Sequence, residues 1–371
     1  MNTNDYLQQH GNYLAEQGIS FVTDIKQEGK GAFVANTYFF TVGNKHYLID
    51  PGCGRKRIKQ IKEQLPFNHY DILVTHSHLD HSANSGIAAG SDSKVIFHPL
   101  VTGRINNLQR NYTGIMPEMI RQFGISGAFG RTGMAGPRAI KLMQFLKKAW
   151  PALFDRIVYM MSQIMRRIKN GAIYPPKKHA LFLNEDECRD LEFADTGFRG
   201  WQLNSQLFLL ETPGHQDDHL SVYIPEQGIM FSGDLISFLN PNDILDGSIK
   251  ETRAGMLKML QLAEAGGIDI LAPGHDLPVI GKDNVVAYLK SVIAKQEEAF
   301  NTIAAIVADC EDKTDFEEII TKVYSHESDL IKRLIKINFP RSVSFIDVYV
   351  LIYLKEYIID NERGSSGTIL S

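Results

Sequence analysis

The amino-acid sequence predicts an α/β fold with a helical insertion and a C-terminal helical extension. Strand and helix patterns alternate over residues 33–97, and mixed β and α character returns over residues 191–272. Helical periodicity replaces them over residues 99–185, and it resumes after Asp283 and continues to about Asp360. We therefore expect a domain over residues 1–285, with an insertion at about 99–185, and a helical extension over residues 286–371.

The first half begins with a hairpin signal, because β-forming residues fill the runs 33–42 and 46–49 around Gly43 and Asn44. The elements predicted next are a helix over residues 55–64 and strands at 72–74 and 95–97.

In the insertion, apolar residues recur at helical spacing from Ala139 to Asn170, and Pro151 is predicted to mark a kink or a restart. The elements predicted after it are strands at 191–194, 207–212, 220–224, 229–232 and 268–272, with a helix near 252–265 before the last strand.

The composition is ordinary for a globular protein, with 44% hydrophobic and 22% charged residues. The N-terminus shows no basic segment followed by an apolar one, and charged residues interrupt the longest apolar stretch, residues 345–359. These features predict a cytoplasmic protein. Cys53, Cys188 and Cys310 lie far apart, which excludes a disulfide framework and a cysteine zinc cluster.

Four potential metal ligands, His76, His78, Asp80 and His81, directly follow the strand predicted at 72–74. Side chains two apart in an extended turn project to the same side, whereas Asp80 and His81 begin the next element and point elsewhere. One tetrahedral site could not easily accept all four, so two adjacent metal sites are expected.

Three further potential ligands follow apolar strands later in the chain, and each comes directly after a glycine or a Ser-Gly pair. They are His215 in Thr-Pro-Gly-His, Asp234 in Ser-Gly-Asp and His275 in Ala-Pro-Gly-His. The glycine permits a tight turn that presents the ligand at the edge of a sheet.

The ordered set His-x-His-x-Asp-His, His, Asp, His resembles that of the hydrolytic metallo-β-lactamase superfamily over roughly residues 30–285. The resemblance implies a four-layer α/β/β/α sandwich with two divalent metal ions at one edge. These ions are expected to be zinc, with iron or manganese as alternatives. It also implies that His76, His78 and His215 hold one ion, that Asp80, His81 and His275 hold the other, and that Asp234 bridges them.

The resemblance also bears on the subgroup. Asp50 matches the early acidic position of the family and is expected to support the site. His78 stands where flavodiiron proteins carry glutamate, and a bridging Asp234 favours the thioesterase, lactonase and phosphodiesterase branches. The glyoxalase II pattern Gly-His-Thr-x-Gly-His is altered here, because Gln216 and Asp218 replace its Thr and its second Gly. Two residues are expected to assist catalysis, Asp80 by orienting the nucleophile and His219 by supporting the site.

The insertion is strongly basic, with fourteen Lys and Arg against two acids between residues 101 and 184, and it holds seven of the eleven methionines. Cationic residues beside an apolar face suit a substrate cap, a membrane surface or a homodimer contact. Nucleic acid is a less favoured partner, since the chain is acidic overall and no RNA-binding motif is present.

The predicted function is metal-dependent hydrolysis of an ester, thioester or lactone, a small-molecule substrate with a partly apolar character. Two alternatives stay open: a phosphodiesterase acting on phospholipids or nucleotides, and a regulatory membrane-surface protein whose metal site is vestigial.

Overall fold

The structure is a computed structural model that describes residues 1–26, 34–65, 68–104, 120–121, 124–125, 136–236, 247–336, 338–339 and 343–359. The chain divides into two compact units. Unit 1 comprises Met1–Tyr112, Arg166–Asn240 and Glu251–Val292, and unit 2 comprises Thr113–Met165, Pro241–Lys250 and Ile293–Ser371.

The first sheet of unit 1 has six strands in sequential order. They are β1 (Ile19–Val22), β2 (Thr37–Val42), β3 (Lys45–Ile49), β4 (Asp71–Leu73), β5 (Val95–Phe97) and β6 (Ala180–Phe182). The predicted hairpin of β2 and β3 is confirmed, and Gly43 adopts a positive φ of 58° in its turn. From β3 to β6 the strands are parallel.

The second sheet of unit 1 has seven strands in the order β13-β12-β11-β10-β9-β8-β7. They are β7 (Arg189–Phe193), β8 (Thr196–Gln202), β9 (Phe208–Glu211), β10 (Leu220–Ile224), β11 (Ile229–Gly233), β12 (Ile270–Pro273) and β13 (Val279–Ile280). Only β11 and β12 pair in parallel among these described strands. Strand β8 was not predicted from the sequence, because its two glycines weaken the strand signal. Gly200 is required there because a Cβ would lie 2.1 Å from the carbonyl oxygen of Leu209.

The two sheets pack face to face on a shared hydrophobic core. Aromatic rings from both sheets meet in it: the ring centroid of Phe231 lies 4.8 Å from that of Phe40 and 5.2 Å from that of Tyr38. Such pairs add about 0.5–1.5 kcal/mol each beyond the area that they bury. This sandwich provides the rigid edge from which the site loops emerge.

The described helices are α1 (Thr3–Glu16), α2 (Gly54–Gln64), α3 (Leu79–Ser82), α4 (Ser85–Ala88), α5 (Pro137–Ala149), α6 (Pro151–Asn170), α7 (Ile249–Glu264), α8 (Lys282–Ala308), α9 (Phe316–Tyr324), α10 (Asp329–Lys336) and α11 (Phe345–Leu354). Among them, α2 buries Ile58 and Ile61 in a second core cluster on the outer face of the first sheet. On the second sheet, Lys258 of α7 lies with its Nζ 5.9 Å from the ring centroid of Phe198. The predicted α/β/β/α layering is confirmed.

The predicted helical periodicity of the insertion is also confirmed, because α5 ends before Trp150 and α6 restarts at Pro151. The predicted boundary at residue 185 is too late, since Ala180–Phe182 pairs with β5 as the edge strand of the first sheet. Much of the remaining insertion, residues 105–119, 122–123 and 126–135, lies outside the described residues.

The C-terminal part is mostly helical, as predicted. The prediction of helix throughout was wrong at one point, because β14 (Asn338–Phe339) and β15 (Val343–Ser344) form a small antiparallel pair between α10 and α11. A search of the described part of the chain found no helix long and apolar enough to cross a membrane.

Candidate metal centre

The seven predicted ligands follow the ends of four strands, and they lie in loops or, for Asp80 and His81, in the short helix α3. His76, His78, Asp80 and His81 follow β4 of the first sheet. The others follow β9, β11 and β12 of the second sheet, and they are His215, Asp234 and His275. Polar side chains from both sheets therefore converge at one edge of the sandwich, where rigid strands position the loops that carry them.

The first cluster consists of His76, His78 and His215, whose candidate ligand atoms lie within 4.8 Å of one another. The Nδ1 atom of His78 is 2.9 Å from the Nε2 atom of His76 and 2.9 Å from the Nε2 atom of His215. His76 and His215 are buried and His78 is partly exposed.

The second cluster consists of Asp80, His81 and His275. The Nε2 atom of His275 lies 3.3 Å from the Nε2 atom of His81 and 3.2 Å from the Oδ2 atom of Asp80. The side chains of Asp80 and His275 are 18% and 16% exposed, whereas that of His81 is fully buried. Asp80 and His275 therefore form the solvent-facing side of this cluster.

Asp234 lies between the two clusters. Its Oδ2 atom is 3.5 Å from the Nε2 atom of His215 in the first cluster, and 3.3 Å from the Nε2 atoms of His81 and His275 in the second. One carboxylate thus faces imidazoles from both clusters, which is the arrangement expected of a bridging ligand.

The donor set fits divalent metal ions. Zinc–imidazole bonds of about 2.0–2.1 Å place two ligands of a tetrahedral ion about 3.3 Å apart, close to the separations in both clusters. Burial, reinforced by the neighbouring imidazoles of His81 and His78, holds the pKa of His76 well below its usual range, so its nitrogen offers a lone pair. The buried Oδ1 atom of Asp234 has no hydrogen-bond partner among the described residues.

The charges of the second cluster also favour binding of a metal cation. Burial would raise the pKa of Asp80, but the imidazoles of His81 and His275 outweigh it and bring the value to about 2. Burial would lower the pKa of His275, yet Asp234 and Asp80 raise it to about 10. The carboxylates are therefore ionised at neutral pH and attract a cation, either a proton on the imidazoles or a metal ion.

Asp50 contacts His81 on the side of the imidazole ring that faces away from the cluster. Its Oδ2 atom accepts a hydrogen bond of 2.7 Å from Nδ1 of His81, which leaves Nε2 of that ring facing the cluster. Its carboxylate also accepts bonds from the backbone N–H and the hydroxyl of Thr75, at 2.8 and 2.7 Å. Asp50 is buried and has a positive φ of 50°, a conformation that Asp and Asn tolerate better than other non-glycine residues.

His219 acts on the backbone rather than in either cluster. Its Nε2 atom accepts a hydrogen bond of 3.0 Å from the backbone N–H of Asp234, and its Nδ1 atom lies 2.9 Å from the hydroxyl of Thr212. Burial, together with the nearby His215, lowers the pKa of His219 to about 3, so the ring is neutral. This geometry positions Asp234.

The three turn glycines are required for different reasons. Gly214 and Gly233 adopt positive φ values of 130° and 50°, which L side chains rarely adopt. Gly274 has ordinary backbone geometry, but a Cβ there would lie 2.3 Å from the Oδ1 atom of Asp234. Its role is therefore to leave space for Asp234.

From the sequence, Asp218 was identified only as a departure from the glyoxalase pattern and Asp217 was assigned no role, whereas the structure gives both residues contacts. Asp217 forms a bidentate ion pair with Arg104, with both N···O distances at 2.6 Å. Asp218 is buried and its Oδ2 atom accepts a hydrogen bond of 3.0 Å from the backbone N–H of Ser77, between His76 and His78. Two adjacent acids beside a ligand were the only signal for this anchoring.

Residues 31–139 match the metallo-beta-lactamase superfamily. No curated protein matches the sequence. Among solved structures, a metallo-beta-lactamase family protein from Thermus thermophilus is 19% identical with a TM-score of 0.54, and the match covers 91% of this chain and 93% of that one. A beta-lactamase domain protein from Burkholderia ambifaria is 12% identical with a TM-score of 0.51, covering 93% and 87%. The family match thus covers residues 31–139, and the two solved structures show that this chain shares their fold over most of its length.

Proposed function

We propose that this protein is a dinuclear-metal-dependent hydrolase of an ester, thioester or lactone. The observation that carries the proposal is the position of Asp234, whose single Oδ2 atom lies 3.3–3.5 Å from imidazoles of both clusters. In this assignment His76, His78 and His215 hold one ion, Asp80, His81 and His275 hold the other, and Asp234 is shared.

Two divalent ions held in this way would lower the pKa of a water molecule and polarise the oxygen of the scissile bond. The protein's own contribution is to fix the donors. Asp50 keeps the Nδ1 proton on His81, and His219 holds the backbone of Asp234. Such outer partners orient ligands and commonly account for a 10–100-fold effect on metal affinity or activity.

Asp80 is the acidic group best placed to meet a substrate, because its side chain is 18% exposed while that of Asp234 is 5% exposed. We assign Asp80 a second role beside ligation, which is to orient the attacking nucleophile and accept its proton. In Asp80→Asn protein that still contains its full complement of metal, we expect turnover to fall by at least about 100-fold, the lower range for general acid–base groups. Undiminished turnover in metal-loaded Asp80→Asn protein would remove this second role.

The preference for a partly apolar substrate rests on the composition of the insertion, which holds seven of the eleven methionines. It is tested by comparing short hydrophilic acyl esters with longer-chain esters of the same leaving group. Equal or higher kcat/KM values for the hydrophilic esters would contradict it.

The test of the main proposal is a substrate panel on protein reconstituted with zinc, manganese or iron. It contains thioesters, lactones, carboxylic esters and phosphodiesters, and the metal content is measured on the same samples. We expect about two metals per chain and hydrolysis of an acyl substrate. Activity on phosphodiesters alone would show that the protein is a phosphodiesterase and not an acyl hydrolase. Less than one metal per chain together with no activity would favour a vestigial site.

The matched variant pair for this panel is Asp234→Asn and Asp190→Asn. Both remove one carboxylate charge, but Asp190 is exposed on β7. Loss of a residue that only hydrogen-bonds to a metal ligand typically lowers metal affinity or activity by 10–100-fold. Loss of the shared ligand itself is therefore expected to reduce activity by more than about 100-fold and to lower the metal content. Asp190→Asn should keep both; two metals and full activity in Asp234→Asn would exclude its bridging role.

A further inference from the structure

Exposed apolar side chains are concentrated in α5, α6 and the residue between them. Of the fifteen large hydrophobic residues that are exposed in the described part of the chain, nine lie between residues 142 and 164. They are Leu142, Phe145, Trp150, Leu153, Ile157, Tyr159, Met160, Met161 and Ile164. Soluble proteins rarely leave so many apolar groups together on a surface without a binding role.

Five of these residues form a continuous stripe along α6. Leu153, Ile157, Met160, Met161 and Ile164 follow the spacing of one helix face, and they are 37–57% exposed. Beside the stripe, the same helix also carries buried side chains, because Phe154 and Val158 are only 4% and 6% exposed. The stripe is therefore additional to the face with which α6 packs on the protein.

Positive charge accompanies the stripe. Residues 137–164 contain five Lys and Arg and a single acid, Asp155. Among the described side chains, Arg138, Lys141, Lys148 and Arg156 are exposed. An apolar face with surrounding cations and few acids is typical of helices that lie in the interface of a membrane containing anionic lipids.

We propose that the α5–α6 segment, residues 137–164, docks this protein on the surface of an anionic lipid bilayer. Charge complementarity selects this occupant over a second copy of the chain. Self-association through this surface would bring two strongly positive segments together, whereas acidic headgroups neutralise them while the apolar stripe enters the headgroup and acyl boundary.

This inference goes beyond the proposed hydrolase function, because docking requires neither metal nor turnover. It is tested on the full-length protein by co-sedimentation with vesicles of phosphatidylcholine alone and of phosphatidylcholine with 30% phosphatidylserine. We expect binding to the anionic vesicles, at least tenfold weaker binding to the neutral ones, and weakening of the former as salt is raised.

Tryptophan fluorescence reports the orientation, since the chain contains only two tryptophans. Trp150 is 55% exposed beside the stripe, whereas Trp201 is 2% exposed in the core. Anionic vesicles should shift the emission to the blue, and lipids with brominated chains should quench it. Trp150→Phe should abolish the shift and still sediment with the vesicles.

Two pairs of variants separate the contributions of charge and apolar contact. Lys141→Glu with Lys148→Glu should weaken binding to anionic vesicles at least tenfold, while Lys62→Glu with Lys178→Glu, which changes the net charge equally, should have a smaller effect. Met160→Ser with Met161→Ser should also weaken binding at least tenfold, while Leu257→Ser, at an exposed position on α7, should leave it unchanged.

Three results would overturn the proposal. The first is equal binding to neutral and anionic vesicles, and the second is no binding to either. The third is self-association of the protein in solution that buries Trp150 between two copies of the chain. Sedimentation velocity in the absence of lipid detects the last of these. Every readout in these experiments is lipid binding or self-association, not catalysis. Absence of lipid binding would therefore not contradict the hydrolase proposal, and absence of hydrolase activity would not contradict the docking proposal.

Discussion

At the scale of single residues, the candidate site depends on which nitrogen of each imidazole carries the proton. Asp50 accepts the Nδ1 proton of His81, and the backbone N–H of Asp234 occupies Nε2 of His219. The first contact turns an imidazole lone pair toward the cluster, and the second removes an imidazole from it. Two histidines with similar burial therefore have opposite functions because their partners differ.

Replacing Asp50 with Asn should weaken metal binding without disturbing the backbone. Asn tolerates the positive φ of 50° at this position, but a neutral amide stabilises the required His81 tautomer less well. We expect a 10–100-fold rise in the dissociation constant of the weaker ion, measured by competition with a chromophoric chelator. An unchanged dissociation constant would show that Asp50 is needed only for folding.

At the scale of elements, close packing of a turn against a side chain determines where the carboxylate of Asp234 lies. The turn after β12 passes so near Asp234 that Gly274 has no room for a methyl group, although its backbone conformation would accept alanine. The strand end therefore shapes the position of a carboxylate that belongs to a different loop.

Gly274→Ala is expected to displace Asp234, because the new Cβ would start 2.3 Å from its Oδ1 atom. A displacement of a shared ligand should reduce metal affinity by at least about tenfold, as measured by metal content after dialysis. Gly197→Ala is the control, since a Cβ at Gly197 meets nothing within 4 Å and its φ is not positive. Equal metal content in the two variants would contradict the steric explanation.

Another contact between elements anchors α2 to the first sheet. The buried guanidinium of Arg57 donates to the carbonyl oxygen of Val22 at 2.8 Å and lies 3.2 Å from the Oδ2 atom of Asp24. Burial would raise the pKa of Asp24, but Lys56 and Arg57 outweigh it and lower the pKa. Because the folded carboxyl binds its proton less readily than the unfolded one, this ion pair stabilises the protein above about pH 4 and loses its effect as Asp24 is protonated at lower pH.

Asp24→Asn should therefore lower the free energy of unfolding by about 1–3 kcal/mol at pH 7, since a buried guanidinium loses its partner at a partly exposed position. The difference from the wild-type protein should shrink as the pH falls through the lowered pKa of Asp24. Urea unfolding at pH 7 and at progressively more acidic pH measures both quantities. A difference that is independent of pH would exclude the ion pair as its cause.

At the scale of the whole molecule, the candidate site joins two sheets. Its ligands come from the end of β4 in one sheet and from the ends of β9, β11 and β12 in the other. Metal ions held by both sheets would bind the folded state alone, so they would add stability by mass action.

Chelation should consequently lower the thermal unfolding temperature. At a free metal concentration of a thousand times the dissociation constant, binding contributes about 4 kcal/mol, which corresponds to a loss of roughly 10 °C for a domain of this size. Differential scanning calorimetry before and after treatment with dipicolinate, and after zinc is restored, measures the effect. Asp234→Asn should show a much smaller loss, and a wild-type protein insensitive to chelation would contradict the assignment.

The sequence predicted many of the elements and every residue of the two clusters, because strand periodicity and local ligand spacing are encoded by neighbours along the chain. It missed contacts that join distant segments. The hydrogen bond from Ser77 to Asp218 and the ion pair of Arg104 with Asp217 span more than one hundred residues. The edge strand Ala180–Phe182 was assigned to the insertion because its three residues show too little periodicity, and only pairing with β5 defines them.

By itself, therefore, the sequence determined the fold class and the order of the candidate ligand residues, since these follow from local composition and spacing. Three properties depend on the tertiary structure alone. Asp234 faces both clusters, His219 accepts a hydrogen bond from the backbone N–H of Asp234, and the absence of a side chain at Gly274 leaves room for the Asp234 carboxylate. The physical reason is that these properties depend on distances between loops from different strands, and packing of the two sheets fixes those distances.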